Sequence, residues 1–235
     1  MFIISEIFPQ HGGDLKTAEQ MILQSKLAGA DAVKVQLYTA TQFGAERAYL
    51  ELSFDGLRKL KEYGDRIGID VFATPFTEER LDWCMELNLK YLKVAARMHN
   101  EMPELVEKII SKGKPTFVSV PSDYDVSRMK TFNHATYLYC IAKYPTLLDE
   151  FKIPDFCNSI FSGISDHSIG ISASLFASAN GAKFLEKHFT LSYAQQKQTE
   201  KAHLGAMTFD DLSLIKKLSS EFEIIINASI LKMTE

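Results

Sequence analysis

The chain has 235 residues, of which 46% are hydrophobic and 24% charged, and its formal net charge is −4. This is a globular composition with enough apolar material for one sizeable core, and its acidic balance disfavours nucleic acid as a partner. No apolar run approaches the roughly 18 residues that a membrane span needs, and the N-terminus lacks the positive region of a signal peptide, so we expect a cytoplasmic protein.

Short apolar runs alternate with amphipathic helical patterns along the whole chain. The predicted strands are Phe2–Ile7, Ala32–Tyr38, Val71–Thr74, Tyr91–Ala95, Thr116–Val120, Thr136–Ile141, Phe161–Ser165 and Lys183–Phe189. The predicted helices are Leu15–Ala28, Phe54–Ile67, Glu78–Leu87, Pro103–Ser111, Asp123–Thr131, Ile153–Ser159, Ile171–Asn180 and Phe209–Ile226. Eight strands, each followed by a helix, predict an α/β protein with the closed (β/α)8 architecture of a TIM barrel, in which residues 1–235 form a single domain.

The three cysteines, Cys84, Cys140 and Cys157, are widely spaced and contain no CxxC pair. An odd number in this pattern is not typical of a disulfide framework, so we interpret all three as reduced thiols.

Polar side chains gather near the predicted strand ends, where the functional residues of a TIM barrel lie. The candidates are Glu6, Lys34, Gln36, Thr74, Lys93, Ser119, Tyr144, Ser165, Asp166, His167, Glu186 and His188. Alternate residues of a strand share a face, so Lys34 and Gln36 should point the same way, as should Glu186 and His188. Their apolar neighbours would then face the helices.

Two of these candidates, Lys34 and Lys93, are lysines within apolar strands. A lysine inside a barrel is costly unless it is paired. Each lysine therefore pairs with a core carboxylate, extends outward to solvent, or contributes to an anion site. Together they favour an anion site, to which Thr74 with Ser119 or Ser165 could contribute hydroxyl donors.

His167 and His188 close the seventh and eighth predicted strands, which are neighbours in a closed barrel. Two imidazoles there could bind one divalent cation, and a nitrogen and oxygen ligand set suits Mn²⁺, Fe²⁺, Co²⁺ or Zn²⁺. The alternative is that each histidine is a hydrogen-bonded structural group.

Taken in order, these segments resemble the barrel domain of the N-acetylneuraminate (sialic acid) synthase family, from Ile4 to about Leu212. The most specific segments are Gly-Ile-Ser-Asp-His-Ser-Ile-Gly at residues 163–170 and Gly-Ala-Lys-Phe-Leu-Glu-Lys-His-Phe-Thr at residues 181–190. The family's C-terminal antifreeze-like domain has no match in this sequence.

The resemblance implies a reaction and a role for each matching residue. The family joins C3 of phosphoenolpyruvate to an aldehyde carbon and releases phosphate, which gives a 2-keto-3-deoxy acid. Phosphoenolpyruvate would be held by Lys34, Thr74, Lys93, Ser119 and Ser165, with Gln36, Tyr144 and Asp166 nearby. Glu6 and Glu186 would hydrogen-bond the reacting centre, and His167 and His188 would bind the divalent metal, usually manganese.

The departures from the family pattern concern the aldehyde acceptor. Ala96, Met98, Ala142 and Ala202 stand where the family has a serine, a glutamate, an asparagine and an aspartate. We therefore expect an acceptor other than N-acetylmannosamine. Arg97 is new in this segment and either binds an acidic or phosphorylated acceptor or faces solvent.

Two other interpretations remain open at this point. One is an aldolase or lyase on the same barrel, and the other is a non-catalytic paralogue that binds a phosphorylated ligand. Association into a homo-oligomer is compatible with the sequence and is not predicted by it.

Overall fold

The structure, a computed structural model, describes residues 1–196 and 204–233. Eight parallel strands form a closed barrel in chain order, β1 to β8, with β8 pairing back onto β1. The strands are Phe2–Glu6, Ala32–Leu37, Asp70–Pro75, Leu92–Val94, Thr116–Pro121, Ala135–Cys140, Phe161–Asp166 and Phe184–His188. The predicted TIM barrel is confirmed, and each end of each strand lies within one residue of its predicted position.

Helices surround the barrel. In chain order α1 to α8 are Leu15–Leu27, Ala40–Phe43, Phe54–Ile67, Glu78–Glu86, Met98–Glu101, Pro103–Ser111, Ser172–Ala179 and Phe209–Met233. Short 3₁₀ helices are Ala45–Leu50, Val126–Arg128, Leu148–Glu150 and Tyr193–Gln195. Among residues 1–196 and 204–233, none of the helices combines the length and apolarity needed to cross a membrane.

Two predicted helices are wrong. Residues 151–155 are irregular and residues 156–160 form a turn and a bend, in place of the predicted helix Ile153–Ser159. The predicted helix Asp123–Thr131 is reduced to the 3₁₀ helix Val126–Arg128. In both segments an aspartate carboxylate accepts a hydrogen bond from the backbone N–H two residues later in the chain. Asp155 accepts the N–H of Cys157 at 2.9 Å, and Asp125 accepts the N–H of Ser127 at 3.1 Å. Such side-chain bonds offer the backbone an alternative to helical hydrogen bonding.

The two faces of the strands bury different side chains. Outward residues such as Val33, Val35 and Leu185 pack in the core between the barrel and the helices, as predicted. Inside the barrel, the ring centroid of Phe117 lies within 5.8 Å of those of four other aromatic residues: Phe2, Phe72, Tyr91 and Phe184. This aromatic layer fills the amino end of the barrel, so polar side chains have room only at the carboxyl end.

Candidate active site

A cavity of about 380 Å³ opens at the carboxyl ends of the strands. Most of the predicted site residues line it: Lys34, Gln36, Lys93, Arg97, Ser119, Tyr144, Ser165, His167, Glu186 and His188. Strand alternation orients those that lie within strands as the sequence predicts, whereas Arg97, Tyr144 and His167 follow the ends of their strands.

Lys34 lies at the floor of the cavity in a buried network. Its Nζ forms a short ion pair with Glu6, lies 3.4 Å from Oε1 of Glu186 and donates to Oγ1 of Thr74 at 3.3 Å. Glu6 and Thr74 are thus next to the floor lysine, where they contact Lys34 rather than the open cavity. Oε1 of Glu6 also accepts the backbone N–H of Phe8 at 2.8 Å, which fixes the carboxylate.

Lys93 reaches the same floor from β4. Its Nζ donates to Oγ of Ser119 and to the carbonyl of Val94, both at 2.7 Å, and lies 3.7 Å from Oε2 of Glu186. Ser165 donates to the other oxygen of Glu186 at 3.2 Å. Glu186 therefore lies between the two lysines, which converge on one pocket as predicted. The alternative, that each lysine pairs with a core carboxylate, also holds.

Oε2 of Glu186 is buried and accepts no hydrogen bond from the residues that the structure describes. A buried acceptor in this condition is uncommon and often marks a place where a ligand or water binds.

Burial and the paired charges shift the pKa values of this cluster in different directions. Burial raises the pKa of Glu6 to about 7, although Lys34 acts to lower it. Burial lowers the pKa of Lys93 to about 8, with Glu186 opposing the shift. Burial would raise the pKa of Glu186, but Lys34 and Lys93 together hold it below its ordinary value. At neutral pH the floor therefore holds two cationic lysines around an ionised Glu186, while Glu6 exchanges a proton near neutrality.

The two histidines lie above this floor with fixed tautomers. Nδ1 of His167 is 3.1 Å from the carbonyl of Ile141, and Nδ1 of His188 is 2.9 Å from that of Phe8. A carbonyl only accepts, so Nδ1 carries the proton in both rings and Nε2 bears the lone pair. Burial also lowers the pKa of His167 to about 4, so this imidazole is neutral at physiological pH.

The two imidazole rings are neighbours in the cavity wall. The ring centroids are 5.9 Å apart, and each ring has the backbone hydrogen bond that commonly orients a metal-binding histidine. In the part of the chain that the structure describes, no group of three or more histidine, cysteine, aspartate or glutamate side chains could hold an ion. A cation shared by the two imidazoles therefore stays a prediction.

Asp166 does not reach the cavity, which corrects its prediction as a substrate-binding residue. The strand alternation that points Ser165 and His167 inward points Asp166 outward, where its Oδ2 lies 3.0 Å from Nζ of Lys187. Oδ2 also accepts the hydroxyl of Ser174 at 2.6 Å. The carboxylate is a buried structural group between the barrel and α7.

The four departures from the family pattern do not all lie in the cavity wall. Ala96 and Ala142 line the cavity. Met98 does not: it is fully buried beneath the loop, where its Sδ accepts the backbone N–H of Ala95 at 3.4 Å. Ala202 lies outside the described residues.

Arg97 lies at the cavity wall, with its Cζ 4.7 Å from the centroid of the Phe76 ring. Its side chain is also 37% exposed, so Arg97 lines the cavity and faces solvent at the same time. Tyr144, on another side of the wall, packs its ring 4.0 Å from that of His167, centroid to centroid.

Sequence reasoning missed several residues of the wall, among them Arg47, Phe76 and Cys140. Cys140 could have been found, since it follows Leu138 by two residues in the sixth strand and must share its inward face. Arg47 lies in a 3₁₀ helix for which the sequence shows no periodic signal.

The closed barrel defines a TIM-barrel protein, and its buried polar cavity lies at the carboxyl ends of the strands, where TIM-barrel enzymes have their active sites. Residues 45–226 match the model of the NeuB family, and the chain belongs to that family.

Named relatives agree with this assignment. The chain is 32% identical over 228 residues to human N-acetylneuraminate-9-phosphate synthase, with 81% of this chain and 62% of that protein covered. It is 30% identical over 235 residues to N,N'-diacetyllegionaminic acid synthase from Legionella pneumophila, and the match covers 81% of this chain and 64% of that protein. The chain thus spans a little over three fifths of the length of these relatives.

Among solved structures, the chain is similar to the N-acetylneuraminic acid (sialic acid) synthetase of Leptospira borgpetersenii in complex with citrate. The TM-score is 0.84 at 26% identity, and the match covers 96% of this chain and 84% of that one.

Proposed function

We propose that this chain is a phosphoenolpyruvate-dependent condensing synthase. It joins C3 of phosphoenolpyruvate to the carbonyl carbon of a sugar-derived aldehyde and forms a 2-keto-3-deoxy acid. Family membership supports this proposal, because the relatives named above are synthases. The observation that carries it is the buried network of Lys34, Lys93, Glu6 and Glu186 at the floor of the cavity.

The lysines are the groups that would bind phosphoenolpyruvate. The two lysines share one ionised carboxylate, Glu186, so the floor carries a net positive charge when Glu6 is protonated. Such a charge attracts a small anion strongly, because little water screens it. The hydroxyl of Ser119 accepts from Lys93 at 2.7 Å and lines the cavity, so its own hydrogen would bond an oxygen of the anion. Ser165 donates to Glu186 at 3.2 Å and Thr74 accepts from Lys34 at 3.3 Å, so these two hydroxyls would act by holding those groups in place. The amide of Gln36 and the ring of Tyr144 complete the wall around it.

The carboxyl groups of Glu6 and Glu186 would transfer protons during the reaction. The new carbon–carbon bond leaves the former carbonyl oxygen in need of a proton, while a water molecule adds at C2 and the bond from C2 to the phosphate oxygen breaks. Glu6 and Glu186 are buried carboxyls at this floor, and such groups can hold or accept the protons that these changes move.

His167 and His188 would hold the divalent metal that the resemblance implies, most often manganese. When bound, such an ion polarises an aldehyde oxygen and helps to place a water molecule.

The test is phosphate release by the purified chain with Mn²⁺, phosphoenolpyruvate and a panel of sugars and simple aldehydes. A burst of phosphate that requires both substrates, together with a new keto acid, is the expected result. Cleavage of a keto acid without phosphate release would indicate an aldolase or lyase instead. Binding of phosphoenolpyruvate without turnover of any aldehyde would indicate a non-catalytic paralogue.

A further inference from the structure

We infer that α8 is a dimerisation surface, on which a second copy of this chain packs its own α8 in the antiparallel direction. The two-fold axis would pass halfway between Lys217 and Glu221. This surface lies outside the cavity, and the inference is independent of the proposed reaction.

α8 is longer than its packing against the barrel requires. Glu223 pairs with the N-terminal ammonium group at 3.6 Å, and the amino terminus directly precedes β1, so α8 has reached the amino end of the barrel at this point. The helix nevertheless continues to Met233, and residues 224, 225 and 227–229 are all exposed. Roughly 15 Å of helix therefore projects beyond the barrel.

The solvent face of α8 carries a stripe of exposed residues at alternating spacings of three and four. Its members are Leu214, Lys217, Glu221, Ile224 and Ala228. The spacing places them in one row along the helix, opposite the buried Leu212, Ile215 and Ser219. Leu214 is 42% exposed and Ile224 is 69% exposed. Apolar residues at this spacing are typical of a helix that packs against a second helix.

The two charged residues of the stripe are available to a partner. On either side of them, Lys216 lies 2.7 Å from a carboxylate oxygen of Asp31, and Glu223 pairs with the amino terminus. Lys217 and Glu221 form no ion pair with any residue that the structure describes. They are four residues apart, but a lysine that precedes a glutamate is the weaker order for such a pair within one helix.

The stripe is complementary to itself in the antiparallel direction only. With the axis placed as above, Leu214 of each copy lies opposite Ile224 of the other, and Lys217 lies opposite Glu221. At each end Ala228 lies opposite Asp210, and the small alanine leaves that carboxylate accessible to water. A parallel pair in register would instead place lysine against lysine and glutamate against glutamate, which is unfavourable.

The antiparallel arrangement also accounts for the length of α8. It pairs residues 210–228 of both helices over about 30 Å, so the projecting end of each helix covers the barrel-packed half of the other. α7 packs beside α8 and adds an exposed aromatic side chain, Phe176, to this side of the molecule. A contact made mainly by one helix from each copy is small for a specific interface, so we expect a Kd on the order of 10 µM.

The oligomeric state of the chain tests the inference without any turnover. Sedimentation equilibrium over a range of concentrations should show a monomer in exchange with a dimer. Ile224→Glu would bury a charge against the apolar Leu214, so it should raise Kd by about tenfold or more. A wild-type chain that remains monomeric well above the expected Kd would overturn the inference.

Charge reversal distinguishes this interface from any other. Lys217→Glu and Glu221→Lys should each raise Kd by about tenfold or more, because each places like charges opposite one another twice. An equimolar mixture of the two variants should dimerise again, since every glutamate then faces a lysine.

Lys112→Glu and Glu107→Lys are the matched controls, because they make the same changes in net charge at exposed positions on and just after α6, across the barrel from α8. Both should dimerise as the wild type does. Equal losses in the controls, or a mixture that dimerises no better than its components, would overturn the inference.

Disulfide trapping tests the direction of the helices. The variants Leu214→Cys and Ile224→Cys would be mixed in a Cys157→Ser background, since Cys157 is exposed while Cys84 and Cys140 are buried. Mild oxidation should join the two variants to each other and neither to itself, because the two positions are roughly 15 Å apart along one helix and a disulfide spans about 6 Å between Cα atoms. Efficient joining of the Leu214→Cys variant to itself would indicate parallel helices and would overturn the inference.

Discussion

The ammonium group of Lys187 lies 3.0 Å from Oδ2 of Asp166, and neither side chain has any exposed surface. The ammonium group also donates to the carbonyl of Ser168 at 2.7 Å, while Asp166 accepts the N–H of the same residue at 2.8 Å. The pair therefore fixes the backbone immediately after His167. It also joins the ends of β7 and β8, from which the two histidines project.

Asp166→Asn should destabilise the fold, since it leaves the buried ammonium group of Lys187 without its carboxylate. Breaking such a pair costs about 3–5 kcal/mol, and urea denaturation would measure the loss in the free energy of unfolding. Asp82→Asn, an exposed change on α4, is the control and should stay within about 0.5 kcal/mol of the wild type. Equal stability of the two variants would mean that the ion pair contributes little.

Lys93→Met should fold and lose affinity for phosphoenolpyruvate. The substitution keeps the volume of the side chain and removes a buried cation, so we expect Kd to rise by about 100-fold or more in calorimetry. Lys90→Met, which removes an exposed lysine paired with Asp70, serves as the control. Unchanged affinity in the Lys93 variant would identify that lysine as structural.

The affinity for phosphoenolpyruvate should fall as the pH rises through about 8. Lys93 in the ligand-free protein has a pKa near that value because it is buried, so its positive charge is present below pH 8 and lost above it. Calorimetric titrations from neutral to alkaline pH would show the inflection. The Lys93→Met variant should lack it, and an identical profile in that variant would assign the titration to another group.

His167→Ala and His188→Ala should each abolish tight binding of Mn²⁺ while the circular dichroism spectrum remains native. Each substitution removes one of two imidazoles that would coordinate the ion. Metal content after dialysis is the readout. His134→Ala is the control, since Nε2 of His134 bonds the carbonyl of Ile110 and the residue does not line the cavity. Retention of Mn²⁺ by both test variants would place the metal elsewhere.

N-acetylmannosamine should not be a useful acceptor. Ala96 and Ala142 offer its hydroxyls no partner within the wall, and each polar group buried without one costs about 1–3 kcal/mol. The measurement is formation of N-acetylneuraminate by the purified chain in the presence of phosphoenolpyruvate and Mn²⁺. Efficient formation of this product would contradict the expectation.

The barrel and the floor of its cavity could be predicted because strand alternation is a strong signal. Lys34 stands between Val33 and Val35, and Glu186 follows Leu185; only one orientation packs these three apolar residues against the helices. The same rule applied to the seventh strand would have excluded Asp166 from the cavity, since it follows the inward Ser165 by one residue.

The loops could not be predicted in the same way. Arg47 reaches the cavity through contacts that are distant in sequence, such as that between Gln42 and Phe76. The predicted helix over Ile153–Ser159 does not form. The carboxylate of Asp155 accepts the backbone N–H of Cys157 there, and a helical pattern of apolar residues does not reveal such a bond.

The aromatic layer around Phe117 has a kinetic consequence. It closes the amino end of the barrel, so in the part of the chain that the structure describes, the substrates and products of the proposed reaction would pass through the carboxyl-end opening. An acceptor held at the mouth of the cavity would lie across the path to Lys34 and Lys93. Phosphoenolpyruvate should therefore enter first, and excess acceptor should inhibit by occupying the free protein, in competition with phosphoenolpyruvate.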